Sequence, residues 1–217
     1  MLIKKFLHSC ILLEEDGKRL LIDPGDMSFF EKSISPEDIG AVDLIVFTHR
    51  HRDHFDPDIL SRILAAKQAK ILAHVEISEK LKESGVPHIA IVAGEKKTIE
   101  GFTVEAVEAP HGPGAKAVVP YNLGFRIDGT FFHPGDCVSL ENIETKVLAL
   151  PVIGSWMRFP EAVLFAKRVK PQYAIPIHDV FIKDAFLDRV YDYYREAFEG
   201  TSISFHPLAL GESLEIS

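Results

Sequence analysis

Short apolar runs separated by turn residues dominate the first part of the chain. Ile3 to Leu7, Cys10 to Leu13 and Arg19 to Ile22 are such runs, with Glu14-Glu15-Asp16-Gly17 between the second and third. Asp-Gly between apolar runs is a hairpin signal, so the three predict an antiparallel meander. Asp23-Pro24-Gly25 ends the third strand, and the stretch 26–35, with Phe29 and Phe30, has no periodicity and reads as a loop or short turn. The two aromatics there fit a pocket lining or a core anchor. Leu44 to Phe47 is apolar at every position, as a strand covered on both faces must be.

Helical and extended signals then mix. Asp56-Pro57 supplies an N-cap and a first-turn proline for a helix over 57–67. Lys70 to His74 predicts a strand, Glu76 to Ser84 a helix ended by Gly85, and Ile89 to Val92 another strand. Two hairpins follow, Lys96 to Glu108 turning at Gly101 and Tyr121 to His133 turning at Asp128-Gly129, with a Gly/Pro/Ala loop over 112–120 between them. Lys146 to Leu150 and Tyr173 to Ile177 predict strands and Pro160 to Val169 a helix. Lys183 to Phe198 has helical spacing, and its stripe Phe186, Val190, Tyr193, Tyr194 and Phe198 reads as core. Ile203 to Phe205 and Ser213 to Ile216 are weak terminal strands. With no linker, repeat or low-complexity segment, the order predicts one α+β domain over 1–217, with two sheets between helices.

Composition narrows the function by exclusion. Hydrophobic residues at 47% and charged residues at 26% are those of a soluble globular protein. No apolar run approaches the roughly 20 residues needed to span a bilayer. The N-terminal Met1-Leu2-Ile3-Lys4-Lys5-Phe6 lacks the apolar core of a signal peptide, so the expected location is the cytoplasm. Cys10 and Cys137 are too few for a disulfide framework and read as buried thiols. A net charge of -8 opposes nucleic acid as a partner and leaves a small-molecule substrate as the expected one.

Candidate chemistry is concentrated directly after Phe47, in Thr48-His49-Arg50-His51-Arg52-Asp53-His54-Phe55-Asp56. His49 and His51, two apart on extended backbone, project to one side, and a bend brings Asp53 and His54 to a second point nearby. Arg50 and Arg52 have the opposite parity and are expected to point away and pair with acids elsewhere. Imidazole and carboxylate suit zinc, manganese or iron, and the absence of a local cysteine opposes a Cys-rich structural zinc site. His111, Asp136 and His178 join the set, each just after a predicted strand and beside Pro or Gly.

In these residues the chain resembles the metallo-β-lactamase superfamily, whose His-x-His-x-Asp-His signature matches His49-Arg50-His51-Arg52-Asp53-His54. Asp23, His111 in Ala-Pro-His, Asp136 in Gly-Asp and His178 in Pro-Ile-His follow the family's order. The early His8-Ser9 and His133-Pro134-Gly135-Asp136 are similar to the branch that contains L-ascorbate-6-phosphate lactonase and many uncharacterised metal-dependent hydrolases. Departures from that branch are Cys137 where a Thr is usual and Leu7 where a Gly is usual.

The resemblance implies a four-layer αββα sandwich with the site at one edge of the sheets. It implies that His49, His51 and His111 hold one metal and Asp53, His54 and His178 a second, with Asp136 bridging. Asp23 would orient a ligand histidine; as a bare residue it reads equally as the cap of the Asp-Pro-Gly turn. Two divalent ions set against two carboxylates and a hydroxide leave a centre of net positive charge, suited to an anionic substrate or transition state. The implied activity is hydrolysis of a small ester, lactone, amide or phosphoester by a metal-bound hydroxide, with zinc the first choice of metal and manganese or iron accepted. Asp53, which would orient the hydroxide or shuttle its proton, and His178 are the catalytic candidates. His8 and His133 are candidate substrate contacts. Trp156 fits a pocket border or the core, and Arg158 and Lys116 are candidate anion-binding groups. Rival readings are a di-iron redox enzyme, whose usual acidic ligand and flavin module are not visible, and a metal- or ligand-sensing protein without turnover.

Overall fold

The computed structural model describes residues 1–29, 34–113 and 119–216, so Phe30 and Lys116 lie outside the described residues. Strands β1 (Leu2–Lys5), β2 (Ile11–Glu15) and β3 (Lys18–Ile22) form the expected antiparallel meander. Asp16 and Gly17 close its second hairpin with φ of 49° and 74°, the left-handed pair a two-residue turn of matching twist requires. The chain then continues through β4 (Leu44–Phe47), α1 (Pro57–Ala66), β5 (Lys70–Ala73), α2 (Val75–Glu83) and β6 (Ile89–Ala90). Two hairpins follow, β7 (Lys96–Ile99) with β8 (Phe102–Glu108) and β9 (Leu123–Ile127) with β10 (Phe131–His133). Last come β11 (Val147–Pro151), α3 (Phe159–Val169), β12 (Tyr173–Ile177), α4 (Asp184–Phe198), β13 (Ser204–Phe205) and β14 (Ser213–Glu215).

Among the described residues these strands make two seven-stranded sheets, ordered β14-β1-β2-β3-β4-β5-β6 and β13-β12-β11-β10-β9-β8-β7. Both sheets follow one plan. Pairing is antiparallel from β14 to β3 and from β7 to β10, and parallel from β3 to β6 and from β10 to β13. In parallel stretches strand ends with the same chemical direction line up, and ligands collect at the carboxyl ends.

Alternation along each strand explains the layering. Ile11, Leu13, Leu20, Ile22, Leu44 and Val46 face inward with Val104, Phe125, Val147 and Ile175 in a core between the sheets. Their neighbours Leu12, Leu21, Ile45 and Phe47 face outward against Leu60, Ile63, Ile77 and Leu81 of α1 and α2. Leu148 and Leu150 pack outward against Phe165, Tyr194 and Phe198 of α3 and α4. Central strands read as continuous apolar runs because both of their faces are covered, giving the four-layer αββα sandwich.

Two expectations need correction. Phe186 and Tyr193 do not join the core; they are 57% and 38% exposed, while Tyr191, Tyr194 and Phe198 are buried. Residues seven apart on a helix differ by only about 20°, so Phe186 and Tyr193 share one line and the buried face lies to its side. The strand predicted over 89–92 is the shorter β6, and the stretch after Gly25 begins with a 3-10 turn, Asp26–Phe29, that packs Phe29 against the α1/α2 layer as a core anchor. Cys10 and Cys137 are buried free thiols, as expected. No helix among the described residues is long and apolar enough to cross a membrane.

The corrected face of α4 is testable by urea denaturation. Phe198→Ala removes a buried ring and is expected to lower stability by about 3–5 kcal/mol. Phe186→Ser is expected to change it by no more than about 0.5 kcal/mol, and a large loss there would contradict the assigned face.

Candidate metal centre

Each candidate ligand sits where a strand stops. Beyond β4 the chain turns sharply, with His54 and Phe55 both donating backbone N–H to the His51 carbonyl at 3.0 and 2.8 Å. Phe55 then packs edge-on against Phe47, ring centres 4.9 Å apart, and Asp56 caps α1 by accepting from Asp58 and Ile59 N–H. Gly25 lies against the same loop so closely that a Cβ there would overlap the Asp53 carbonyl and the His54 nitrogen. Arg50 pairs with Glu76 at 3.2 Å and Arg52 with Asp56 at 2.7 Å, pointing away from the histidines as their parity predicted.

Two groups of side chains converge at the sheet edge: His49, His51, His111 and Asp136, and His8, Asp53, His54 and His178. Nε2 of His49 lies 3.1 Å from Nδ1 of His51, and Nε2 of His54 lies 3.0 Å from Nε2 of His178. The Asp136 carboxylate spans the groups. Its Oδ2 is 3.2 Å from His111 Nε2 and 3.9 Å from His49 Nε2, while its Oδ1 is 2.7 Å from His178 Nε2 and 3.1 Å from His54 Nε2.

Hydrogen bonds on the far side of the rings decide which nitrogens face inward with a lone pair. His54 Nδ1 donates to Asp23 Oδ2 at 2.7 Å. Thr48 Oγ1 spends its single proton on Asp23 Oδ2 at 2.6 Å and so accepts from His49 Nδ1 at 3.1 Å. His111 Nδ1 donates to the Gly112 carbonyl at 2.6 Å. One buried carboxylate thus sets the tautomer of two histidines, one directly and one through a hydroxyl, which is how ligand histidines are usually oriented.

The donor set fits divalent metal ions. His111 Nε2 and Asp136 Oδ1 are buried without a hydrogen bond of acceptable geometry despite their close neighbours. Imidazole lone pairs facing one another and facing a carboxylate repel unless a cation lies between them. The titration behaviour of the protein groups agrees. Burial lowers the pKa of His49 and His51, reinforced by neighbouring imidazoles, and brings His8 down to about 3. Burial would lower His54 too, but the Asp136, Asp23 and Asp53 carboxylates outweigh it and push its pKa well up. Burial likewise opposes ionisation of Asp136 and Asp53, yet His178 and His54 around the first, and His54 and His8 around the second, hold both below the usual carboxylate range. The cluster therefore calls for positive charge at its middle.

The remaining sequence candidates separate. His8 is fully buried beside the second group, its Nε2 3.1 Å from Asp53 Oδ2 and its ring 4.1 Å from that of His178. His133 is also fully buried, with Nε2 donating to the Ser9 carbonyl and Nδ1 accepting from Gly135 N–H, so neither nitrogen is left for a substrate. Trp156 borders the site, 5.8 Å from the His111 ring and 6.0 Å from the His178 ring. Arg158 turns away to Glu161 at 3.1 Å. Sequence reasoning missed Thr48, whose only signal was its place between strand and signature, and Phe181, whose ring meets His8 at 5.3 Å.

Asp23→Asn keeps the side-chain size but loses the carboxylate that accepts from both Thr48 and His54. It is expected to weaken metal affinity by about 10–100-fold in a chelator competition, with unchanged far-UV circular dichroism. Unchanged affinity would remove Asp23 from this role.

Comparison with known proteins bears on the same residues. A family described as a beta-lactamase superfamily domain matches residues 2–178. Protein Rv0786c of Mycobacterium tuberculosis is 30% identical over 215 residues, 96% of each chain. The UPF0173 metal-dependent hydrolase Ta0764 of Thermoplasma acidophilum is 32% identical over 182 residues, 79% of this chain and 80% of its own. Among solved structures, Igni18, a metallo hydrolase from the archaeon Ignicoccus hospitalis, superposes with a TM-score of 0.72 at 23% identity, covering 100% of this chain and 99% of its own. With the family match running from β1 to His178 and taking in every candidate ligand, the chain belongs to the beta-lactamase superfamily.

Proposed function

We propose that the chain is a dinuclear metal-dependent hydrolase acting on a small-molecule ester, lactone, amide or phosphoester. The observation that carries this reading is Asp136, a buried carboxylate with one oxygen among the nitrogens of each histidine group. His49, His51 and His111 would hold one ion and Asp53, His54 and His178 the other, with Asp136 shared. Zinc is the first assignment, and manganese and iron suit the same nitrogen and oxygen donors. Ions at these positions would supply an acidified water and polarise the oxygen of the attacked group.

The chain's own residues do the positioning. Asp53, 18% exposed and held ionised by His54 and His8, has Oδ2 bonded to His8 Nε2 at 3.1 Å, which fixes the carboxylate beside the second group, where it would bind the ion and orient the attacking water. The His178 ring lies 6.0 Å from each of the Trp156 and Phe181 rings, which border the buried groups on the side from which substrate would arrive. His8-Ser9 and His133-Pro134-Gly135-Asp136, the stretches similar to the L-ascorbate-6-phosphate lactonase branch, meet beneath the site through the His133–Ser9 bond. That likeness describes a scaffold and leaves the substrate to be chosen by the pocket walls.

Metal analysis of the purified chain is expected to give about two ions per chain. Asp136→Ala and His51→Ala are each expected to lower kcat/KM by more than about 100-fold, beyond the usual cost of losing an outer partner of a ligand. Fewer than one tightly held ion, or full hydrolysis by both variants, would overturn the reading. Two ions with no turnover across esters, lactones and phosphodiesters would favour a sensing protein.

A further inference from the structure

Trp156 is the only tryptophan of the chain, and its placement is unusually constrained. It lies in the loop between β11 and α3, folded back by a bridge between Gly154 and Met157. A Cβ on Gly112 would fall 2.6 Å from Cε3 of the indole, and one on Gly154 would fall 2.8 Å from Cε2 and Nε1. Both are far inside the roughly 3.5–4.0 Å of carbon contacts, so only glycine lets two backbones close on the ring. The indole is a fixed wall.

Beside it opens a cavity of about 570 Å³ whose apolar wall is Pro110, Val138, Trp156 and Leu164 and whose polar rim includes Glu141 and Glu161, carboxylates that disfavour an anionic ligand. Leu164 belongs to α3 but is 56% exposed, so it serves this cavity rather than the core. Across His178 stands Phe181, 52% exposed, its ring centre 6.0 Å from that of His178, the same distance as Trp156. Leaving the Phe181 ring in water beside the partly exposed Trp156 at the mouth of a buried polar centre costs free energy unless a ligand covers them. Among the described residues the nearby arginines have partners: Arg50 pairs with Glu76, Arg52 with Asp56 and Arg158 with Glu161, while Arg168 donates to the Val138 and Leu140 carbonyls.

We infer that Trp156 and Phe181 are specificity residues, and that the substrate is a neutral ester, amide or lactone with a planar apolar group next to the scissile bond. That group lies against the indole and extends into the cavity beyond His111. The scissile bond rests on the hydrolase reading above; the binding of the apolar group does not.

Fluorescence of Trp156 reads the site directly. In the metal-loaded chain, acetophenone is expected to quench it saturably, while acetone and phenyl phosphate at equal concentration do not. Equal responses to all three, or tighter binding of phenyl phosphate, would overturn the inference. Trp156→Ala is expected to lower the ratio of kcat/KM for phenyl acetate to that for methyl acetate by about tenfold, and Trp156→Phe to restore most of it. An unchanged ratio in Trp156→Ala, with circular dichroism showing a folded chain, would also overturn it. Saturable quenching by acetophenone in a chain that hydrolyses nothing would sustain the aromatic site while the hydrolase reading failed.

Discussion

Six imidazoles and two carboxylates share one largely buried edge of this sandwich, and that crowding constrains everything around it. Polar groups removed from water must find partners, and charges must be matched, or the fold pays several kcal/mol for each. Here the outward-facing nitrogens of His54, His49 and His111 are satisfied by Asp23, Thr48 and the Gly112 carbonyl, Nδ1 of His8 and of His178 is buried without a hydrogen bond, and the inward-facing atoms are left to one another. A cluster built this way suits cations at its middle, and where ions bind such a cluster their affinity adds to the stability of the fold. Sheet pairing, helix capping and loop packing nearby can be understood as what holds the cluster together without them.

The second support is the contact between two loops that come from neighbouring parallel strands. Asp23 has φ of 49° at the end of β3, which turns its carboxylate under Thr48, where Oδ1 accepts the Thr48 N–H at 2.7 Å. Gly25 then lies on the Asp53–His54 peptide, and Asp26 N–H reaches the Arg52 carbonyl at 2.9 Å. The Asp-Pro-Gly run is therefore both a turn and a floor for the signature. The Asp23 carboxylate bonds Thr48 and His54 rather than capping its own turn, which is closed by Gly25 N–H to the Asp23 carbonyl at 2.8 Å.

Much of this was legible in the sequence because its periodicities are local. Continuous apolar runs such as Leu44 to Phe47 announced strands with both faces covered, and His111, Asp136 and His178 stood out as ligand-type residues at strand ends. What stayed illegible depends on tertiary approach. Nothing in Thr48 revealed that its hydroxyl relays Asp23 to His49, and nothing in His8 revealed that its ring would reach Asp53, 45 residues on. On α4 the pattern misled in part: Val190, Tyr194 and Phe198 of the helical stripe do meet the core, but Phe186 and Tyr193 fit the same spacing and stay exposed.

The last candidate ligand shows how far the positioning reaches. His178 ends β12 with φ of 69°, a conformation non-glycine residues seldom adopt, so the surroundings must hold it there. Its successor Asp179 receives Lys5 of β1 at 2.7 and 2.9 Å and the Tyr191 hydroxyl of α4 at 2.6 Å, in a buried triangle. Its own backbone N–H is directed to the His8 carbonyl at 3.3 Å. Breaking a buried ion pair leaves an uncompensated charge at a cost of about 3–5 kcal/mol, enough to make this triangle a firm anchor. The first strand and the last long helix thereby fix a candidate ligand that, together with His111, borders the aromatic mouth. A residue held this firmly keeps the polar cluster and the Trp156 and Phe181 rings at a constant separation.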